Sequence, residues 1–202
     1  ARMVIDNWKP EIEIDPNWDT VTLGNKFKIE SGGTPDTSIS KYWDGDIKWV
    51  TLVDIPEDIT GISETARRIT EEGLKKSSAK LLPKGTVLVS TRATIGRIGV
   101  AEDEMATNQG FKNVIVDENN NPYFVAYMLK RKVPEMILLA SGGTFKEISK
   151  TNFATIQIPL PSKEVQDQIV NTIMEKSKIV DLNKKLIEEI SKSIEERIAL
   201  LF

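Results

Sequence analysis

Apolar residues come through the middle of the chain in short bursts, separated by turns rich in Gly, Pro and charge. Residues 20–23, 47–52, 86–90, 98–101, 111–116 and 155–158 are such bursts. Each is weighted toward Val, Ile and Thr, which predicts a strand. Residues 122–131 and 134–140 predict helices, each opened by a proline where the first helical turn has no use for an N–H. Strands and helices mix without regular alternation, so the expected fold class is α+β rather than a doubly wound sheet.

From residue 162 the pattern changes. Residues 162–202 contain no Gly or Pro, and Pro159 and Pro161 end the strand before them. Ser162 sits at an N-cap position, and Glu164 and Asp167 place negative charge where the helix dipole favours it. Ile173, Val180, Ile187, Ile194 and Leu201 then follow one another at a seven-residue spacing. Such a stripe stays on one helix face and winds slowly around it. Ile169, Ile190 and Ile198 broaden the stripe, with Leu182 and Leu186 on its flank. Roughly 40 helical residues make a rod about 60 Å long, and a rod of that length needs something to pack on. A coiled coil with another helix is expected; the alternative is a helix folded back on its own domain. Mixed residues three positions after the stripe (Lys176, Asn183, Ile190, Arg197) predict an imperfect seam. The chain thus divides into a polar lead at 1–16, a mixed α/β domain at 17–161 and a long coiled-coil-forming C-terminal helix at 162–202.

Composition narrows the chemistry. The 202 residues are 40% hydrophobic, enough for a packed core, and include no Cys and no His. Their absence removes thiolate nucleophiles, Cys-based zinc sites, the commonest general base and the commonest metal ligand. No apolar stretch has signal-peptide or membrane-span length, so a cytoplasmic protein without a membrane is expected. There is no phosphate-binding GxxxxGK[ST] loop and no Gly-rich cofactor loop after a strand. Asn121-Pro122-Tyr123-Phe124 resembles the amine-holding tetrapeptide of amino-methyltransferases but lacks its second proline, and is read as a helix start. The carboxylate pairs Glu71/Glu72 and Glu188/Glu189 are sequence neighbours that point apart on helical stretches, so neither forms an acid/base pair. An enzyme is not expected. The net charge of −3 argues mildly against nucleic acid, although the central zone carries equal numbers of basic and acidic residues.

Four segments hold candidate binding chemistry. Ser-Gly-Gly-Thr occurs twice, at 31–34 and 141–144, with Lys28 before the first copy and Lys146 after the second. Consecutive glycines can converge N–H groups on a phosphate; they can equally form tight turns with no ligand. Residues 91–97 supply Arg92 and Arg97 with two hydroxyls, and Arg can fork onto guanine or phosphate. The GxxG pattern at 96–99 carries little weight. Thr107-Asn108-Gln109-Gly110 places two amides side by side, able to pair with adenine or to fix a loop. Residues 57–80 are polar, with Arg67, Arg68, Lys75, Lys76 and Lys80. They fit a base-reading surface or a solvated one.

Together these residues resemble a known family. Trp18…Leu23-Gly24, Ser31-Gly32-Gly33-Thr34-Pro35 and Tyr42-Trp43-Asp44-Gly45-Asp46-Ile47-Lys48-Trp49-Val50 open the match. Leu82-Pro83-Lys84-Gly85-Thr86-Val87-Leu88-Val89-Ser90-Thr91-Arg92-Ala93-Thr94-Ile95-Gly96 and Ala106-Thr107-Asn108-Gln109-Gly110-Phe111 continue it. Ser141-Gly142-Gly143-Thr144-Phe145 and Ile158-Pro159-Leu160-Pro161…Gln166…Gln168-Ile169 close it. The chain resembles the specificity (S) subunit of type I restriction–modification systems. The resemblance implies a target recognition domain followed by a conserved-region helix, and sequence-specific binding of double-stranded DNA without catalysis. It implies docking onto adenine-methylating (M) subunits and, through them, restriction (R) subunits. S-adenosylmethionine, ATP and Mg would sit on those partners, and no cofactor on this chain. It decides the phosphate-loop question in favour of DNA, and the residues expected at phosphates are then Lys28, Lys146 and Lys150, with Arg67, Arg68, Lys76 and Arg92 expected to read bases. The helix seam would run through Ile173, Val180, Ile187, Ile190, Ile194 and Leu201, pairing two copies or a second half. A complete S subunit has two recognition domains and two conserved helices; this chain has one of each. A dimerising half-subunit, an excised half, a recognition domain from a fused methyltransferase–endonuclease, and a helix-only assembly protein without DNA reading all stay open.

Overall fold

The computed structural model describes residues 8–142 and 146–199, the last three as backbone only. Contacts divide them into two compact units. One is Asn17–Gln166; the other joins the residues before Asn17 to those from Asp167 onward.

The larger unit is built on a five-stranded sheet in the order β2-β9-β6-β7-β4. Its strands are β2 (Lys28–Ser31), β4 (Thr60–Ile62), β6 (Val87–Ser90), β7 (Ile98–Ala101) and β9 (Phe111–Ile115). Every residue of β6 and β7 is buried, so these central strands are covered on both faces. That explains the apolar run of Val87, Leu88 and Val89 and of Ile98–Ala101. Pairing is antiparallel except for β4 beside β7. A second sheet, β5-β3-β8, combines β3 (Trp43–Val50) with β5 (Arg67–Ile69) and, in parallel, β8 (Ala106–Thr107). In β3 the register shifts between Trp43 and Ile47, and Asp44 takes a left-handed φ of 59°. This bulge twists the strand and sets Trp43 edge-on to Trp49, ring centres 5.0 Å apart. The ends of the unit meet in the antiparallel pair β1 (Thr20–Thr22) and β10 (Gln157–Pro159).

Short helices fill the periphery: α1 (Leu23–Lys26), α2 (Glu71–Lys75), α3 (Pro122–Arg131), α4 (Val133–Leu139) and α5 (Lys150–Ala154). Helix α3 starts where its sequence says it should. Asn121 Oδ1 accepts from the N–H groups of Tyr123 and Phe124, and Pro122 occupies the first turn. The methyltransferase-like tetrapeptide is therefore a helix cap. Phe124, Val125, Met128 and Leu129 turn inward from α3, which packs on β6 and β7. Gln166 is fully buried yet satisfied, donating to Asn120 Oδ1 and Pro161 O and accepting from Asn121 N–H.

The smaller unit is dominated by α6 (Lys163–Ala199), 37 residues and about 55 Å long. In it Ile173 and Ile12 are buried. Val180 and Ile187 are half-buried. Ile179, Leu182, Leu186, Ile190 and Ile194 are at least half exposed. The expected seam thus lies on one flank of a wider apolar arc, with Leu182 and Leu186 on the open flank and Ile190 and Ile194 where the flanks meet. Leu201 lies outside the described residues. No described helix is long and apolar enough to cross a membrane.

Candidate nucleic-acid interface

The loop after β2 is held from three sides. Gly32 N–H donates to Phe111 O (3.2 Å) and Gly33 N–H to Thr107 O (2.9 Å). Trp49 Nε1 donates to Gly33 O (3.0 Å), and Trp43 Nε1 to Asp36 O (3.1 Å). Both glycine N–H groups therefore bond backbone carbonyls. A Cβ on Gly32 would lie 1.8 Å from Asn108 O. The first Ser-Gly-Gly-Thr is a close-packing device, and the anion cradle considered from sequence is not what its N–H groups form. In the second copy Gly143 and Thr144, like Phe145, lie outside the described residues.

Fixing this loop places Thr34, whose hydroxyl donates to Gln109 Oε1. Beside it, Asn108 Oδ1 accepts from Gly110 N–H (2.8 Å), a local side-chain turn. Across from the two amides runs the turn after β6. Ser90 Oγ donates to Thr94 O and accepts from Arg97 N–H. Ala93 takes φ 60° and Gly96 φ 91°, left-handed conformations that fold the turn back on the strand. Arg97 points inward, donating to Ile55 O (3.3 Å). Arg92 faces out, and its Nε lies 3.8 Å from Glu147 Oε2. The other oxygen of Glu147 accepts from the buried Lys112 Nζ (3.3 Å), so one carboxylate joins Arg92 to Lys112. The two motifs that stood apart in sequence meet here. Leu52, Ser90, Arg92, Ala93, Asn108 and Gln109, with Gly110 and Phe111, line a pocket of about 270 Å³.

The other sequence candidates sort as follows. Lys28 lies 3.0 Å from Glu30, and Lys150, the first residue of α5, lies 4.0 Å from the other oxygen of Glu30. Both lysines are more than half exposed, so β2 brings two of the three phosphate candidates to one place. Lys146 is exposed, and its carbonyl accepts from Ala93 N–H. The guanidinium carbon of Arg67 lies over Trp43, 3.8 Å from the ring centre, and 5.3 Å from that of Trp49. These cation–π contacts hold an otherwise exposed side chain in place. Arg68 donates to Asp46 O and Glu64 Oε2, which ties β5 to its neighbours. Lys76 is exposed at the C-terminus of α2. Sequence reasoning missed Glu30 and Glu147, whose carboxylates pair with Lys150, Arg92 and Lys112 from far along the chain; it placed Thr34 in its motif but not beside Gln109. Among the described residues no group of three Asp or Glu could hold a metal ion.

The chain matches the type I restriction modification DNA specificity domain over residues 16–192, which takes in the sheets, the pocket and most of α6. The chain belongs to that family. It is 32% identical over 199 residues to the type I restriction enzyme MjaIX specificity subunit of Methanocaldococcus jannaschii, covering 94% of this chain and 46% of that protein. It is 27% identical over 183 residues to the EcoR124I/EcoR124II specificity subunit of Escherichia coli, covering 87% and 44%. Two solved structures share the fold. One, reported for complex assembly and conformational transition of the type I R-M system, superimposes with TM-score 0.68 at 24% identity, covering 93% of this chain and 45% of that one. The HsdS subunit from Thermoanaerobacter tengcongensis superimposes with TM-score 0.63 at 23% identity, covering 88% and 41%. This specificity domain spans less than half the length of these relatives. The mixed fold with a long C-terminal helix, expected from the sequence, is thereby established, as is the family resemblance.

Proposed function

We propose that this chain reads a short DNA sequence for a type I restriction–modification complex and catalyses nothing itself. The observation that carries the proposal is the continuous family match across both the mixed domain and the helix. Adenine methylation and restriction belong to the M and R subunits, which supply S-adenosylmethionine, ATP and Mg in the cytoplasm. Lys28, Lys146 and Lys150 take phosphates. Arg67, Lys76 and Arg92 read base edges; the two donors of Arg68 engaged by Asp46 and Glu64 make it a support for Arg67. Helix α6 pairs with a second copy, or with the matching helix of another half, and sets the distance between two readers. Antiparallel rods about 55 Å long would separate the readers by one to two DNA turns of roughly 34–36 Å. A two-fold dimer would require a palindromic site.

Reconstitution with methylating subunits tests this reading. Adenine methylation at a bipartite site, whose spacer shortens when α6 loses whole heptads, is expected. Methyl transfer by the isolated chain, or assembly without any DNA affinity, would overturn it. Losing a phosphate contact weakens all sequences alike and lowers the salt slope by about 1. Losing a base contact relaxes one position by about 1–3 kcal/mol.

A further inference from the structure

The pocket between Arg92 and the Asn108-Gln109 pair has a polarity the sequence does not reveal. An amide can present an oxygen, a nitrogen or both. Here both oxygens are engaged by the protein: Asn108 Oδ1 accepts from Gly110 N–H, and Gln109 Oε1 accepts from Thr34 Oγ1. Neither amide nitrogen has a hydrogen-bond partner among the described residues. Arg92 has no acceptor and is 43% exposed, with only its Nε near Glu147. Ser90, the remaining hydroxyl, is satisfied in both directions by Thr94 O and Arg97 N–H. The side-chain groups left wholly unengaged are therefore donors. An adenine fork needs an amide oxygen to accept from N6 and an amide nitrogen to donate to N7. Here each oxygen would have to accept a second time, whereas the nitrogens are free to donate.

We propose that the pocket formed by Arg92, Asn108 and Gln109 holds a purely accepting part of DNA: a phosphate oxygen, or the N7/O6 edge of guanine. Gly110 and Thr34 are its positioning residues: the Gly110 N–H, which can only donate, turns the Asn108 amide outward nitrogen-first, and the Thr34 hydroxyl anchors Gln109 beside it. The proposal rests on the DNA-reading function above and adds the chemistry of one contact to it.

Isosteric substitutions test it without disturbing the loop. Asn108→Asp keeps an oxygen for Gly110 N–H, and Gln109→Glu keeps one for Thr34, while each turns an outward donor into an acceptor. Gln109→Met removes the donor without adding charge. Asn119→Asp, on an exposed turn outside the pocket, controls for charge alone. The full-length protein, reconstituted with its methyltransferase subunits, is assayed for binding to a library of randomised sites at two salt concentrations, with circular dichroism to verify folding. Asn108→Asp and Gln109→Glu should each lower affinity about tenfold or more beyond the Asn119→Asp control, and Gln109→Met should also fall measurably below the parent. A phosphate source gives equal loss on every sequence, and Arg92→Gln then flattens the salt slope by about 1. A guanine source confines the loss to one position, where Asn108→Asp newly tolerates cytosine or adenine, whose amino groups can donate. Folded pocket variants that bind like the parent, or no worse than the charge control, overturn the pocket alone. A parent complex that binds no DNA overturns the DNA-reading function and this proposal together.

Discussion

The domain Asn17–Gln166 and helix α6 differ in what each leaves without a partner. In the domain the largest aromatic side chains are inside: Phe111, Phe124 and Phe153 are at most 1% exposed, and the exposed large apolar residues are Val53, Leu81 and the pair Ile137 and Leu138. Hydrogen-bond donors face outward at the pocket and on Arg67. In α6 the case is reversed. Its outward side chains include apolar ones: Ile179, Leu182, Leu186, Ile190 and Ile194 are between 50% and 58% exposed. One region leaves polar groups outward at a pocket. The other leaves an apolar arc exposed. The proposed function assigns the first to DNA and the second to a partner helix.

The largest test of that contrast is on the helix. Leu182→Glu combined with Leu186→Glu places charge on the open flank without touching the domain. Burying each leucine stabilises association by about 1.5–3 kcal/mol, so the pair should weaken helix pairing at least a hundredfold. Light scattering measures it directly. A mass that stays unchanged would move the seam to the half-buried flank of Val180 and Ile187, where Ile187→Glu would then have the larger effect.

Next in size is Gly32→Ala. The new methyl would collide with the carbonyl of Asn108, a backbone atom that cannot step aside. Overpacking of this kind costs about 1–3 kcal/mol, or more where backbone is involved. A lower urea midpoint is expected, together with loss of DNA binding. Loss of DNA binding with stability intact would restore the glycine pair as a phosphate cradle and break the claim that the domain's own backbone satisfies it.

How much of this was legible follows from where each strand sits. The central strands β6, β7 and β9 announce themselves because burial on both faces demands Val, Ile and Phe. The strands missed from sequence, β2, β4, β5 and β8, all lie at sheet edges. Edge strands carry charge to resist pairing with other chains, so Lys28 and Glu30, or Arg67 and Arg68, look like loop residues. The helix was legible nearly end to end. Spacing put the seam through Ile173, Val180, Ile187, Ile190 and Ile194, and of these Ile190 and Ile194 are exposed while Ile173 is buried, a difference set by packing that spacing does not carry. The site was half legible. Residue types at 91–97 and 107–110 pointed to binding, while the polarity of the pocket depends on Thr34, 75 positions from Gln109.

A smaller effect tests the cap of α3. Asn121→Ala removes the acceptor for two N–H groups and should cost about 1–2 kcal/mol of domain stability. Helix pairing by α6 should not change. A thermal melt and a light-scattering run on the same variant give both answers.

The smallest effect is a pH dependence confined to the domain. Tyr123 Oη donates to Glu102 Oε1 (3.2 Å). Its pKa is pushed up to about 12, first by burial, then by the charge of Glu102, by that hydrogen bond and by Tyr127. The folded state therefore keeps its proton longer than the unfolded state, which releases it near the ordinary value of about 10. Stability from this phenol is fully present below about pH 10 and is lost as pH rises toward 12. The residue is only partly buried, so solvent screening keeps the effect small. Tyr123→Phe should flatten the fall in stability across that window. Glu102→Gln should flatten it only in part, because burial is the leading cause. The segment 163–202 contains no tyrosine, so at any one pH Tyr123→Phe should leave association through α6 unaltered. Equal slopes for parent and Tyr123→Phe would mean that the phenol is as solvated in the folded domain as in the unfolded chain.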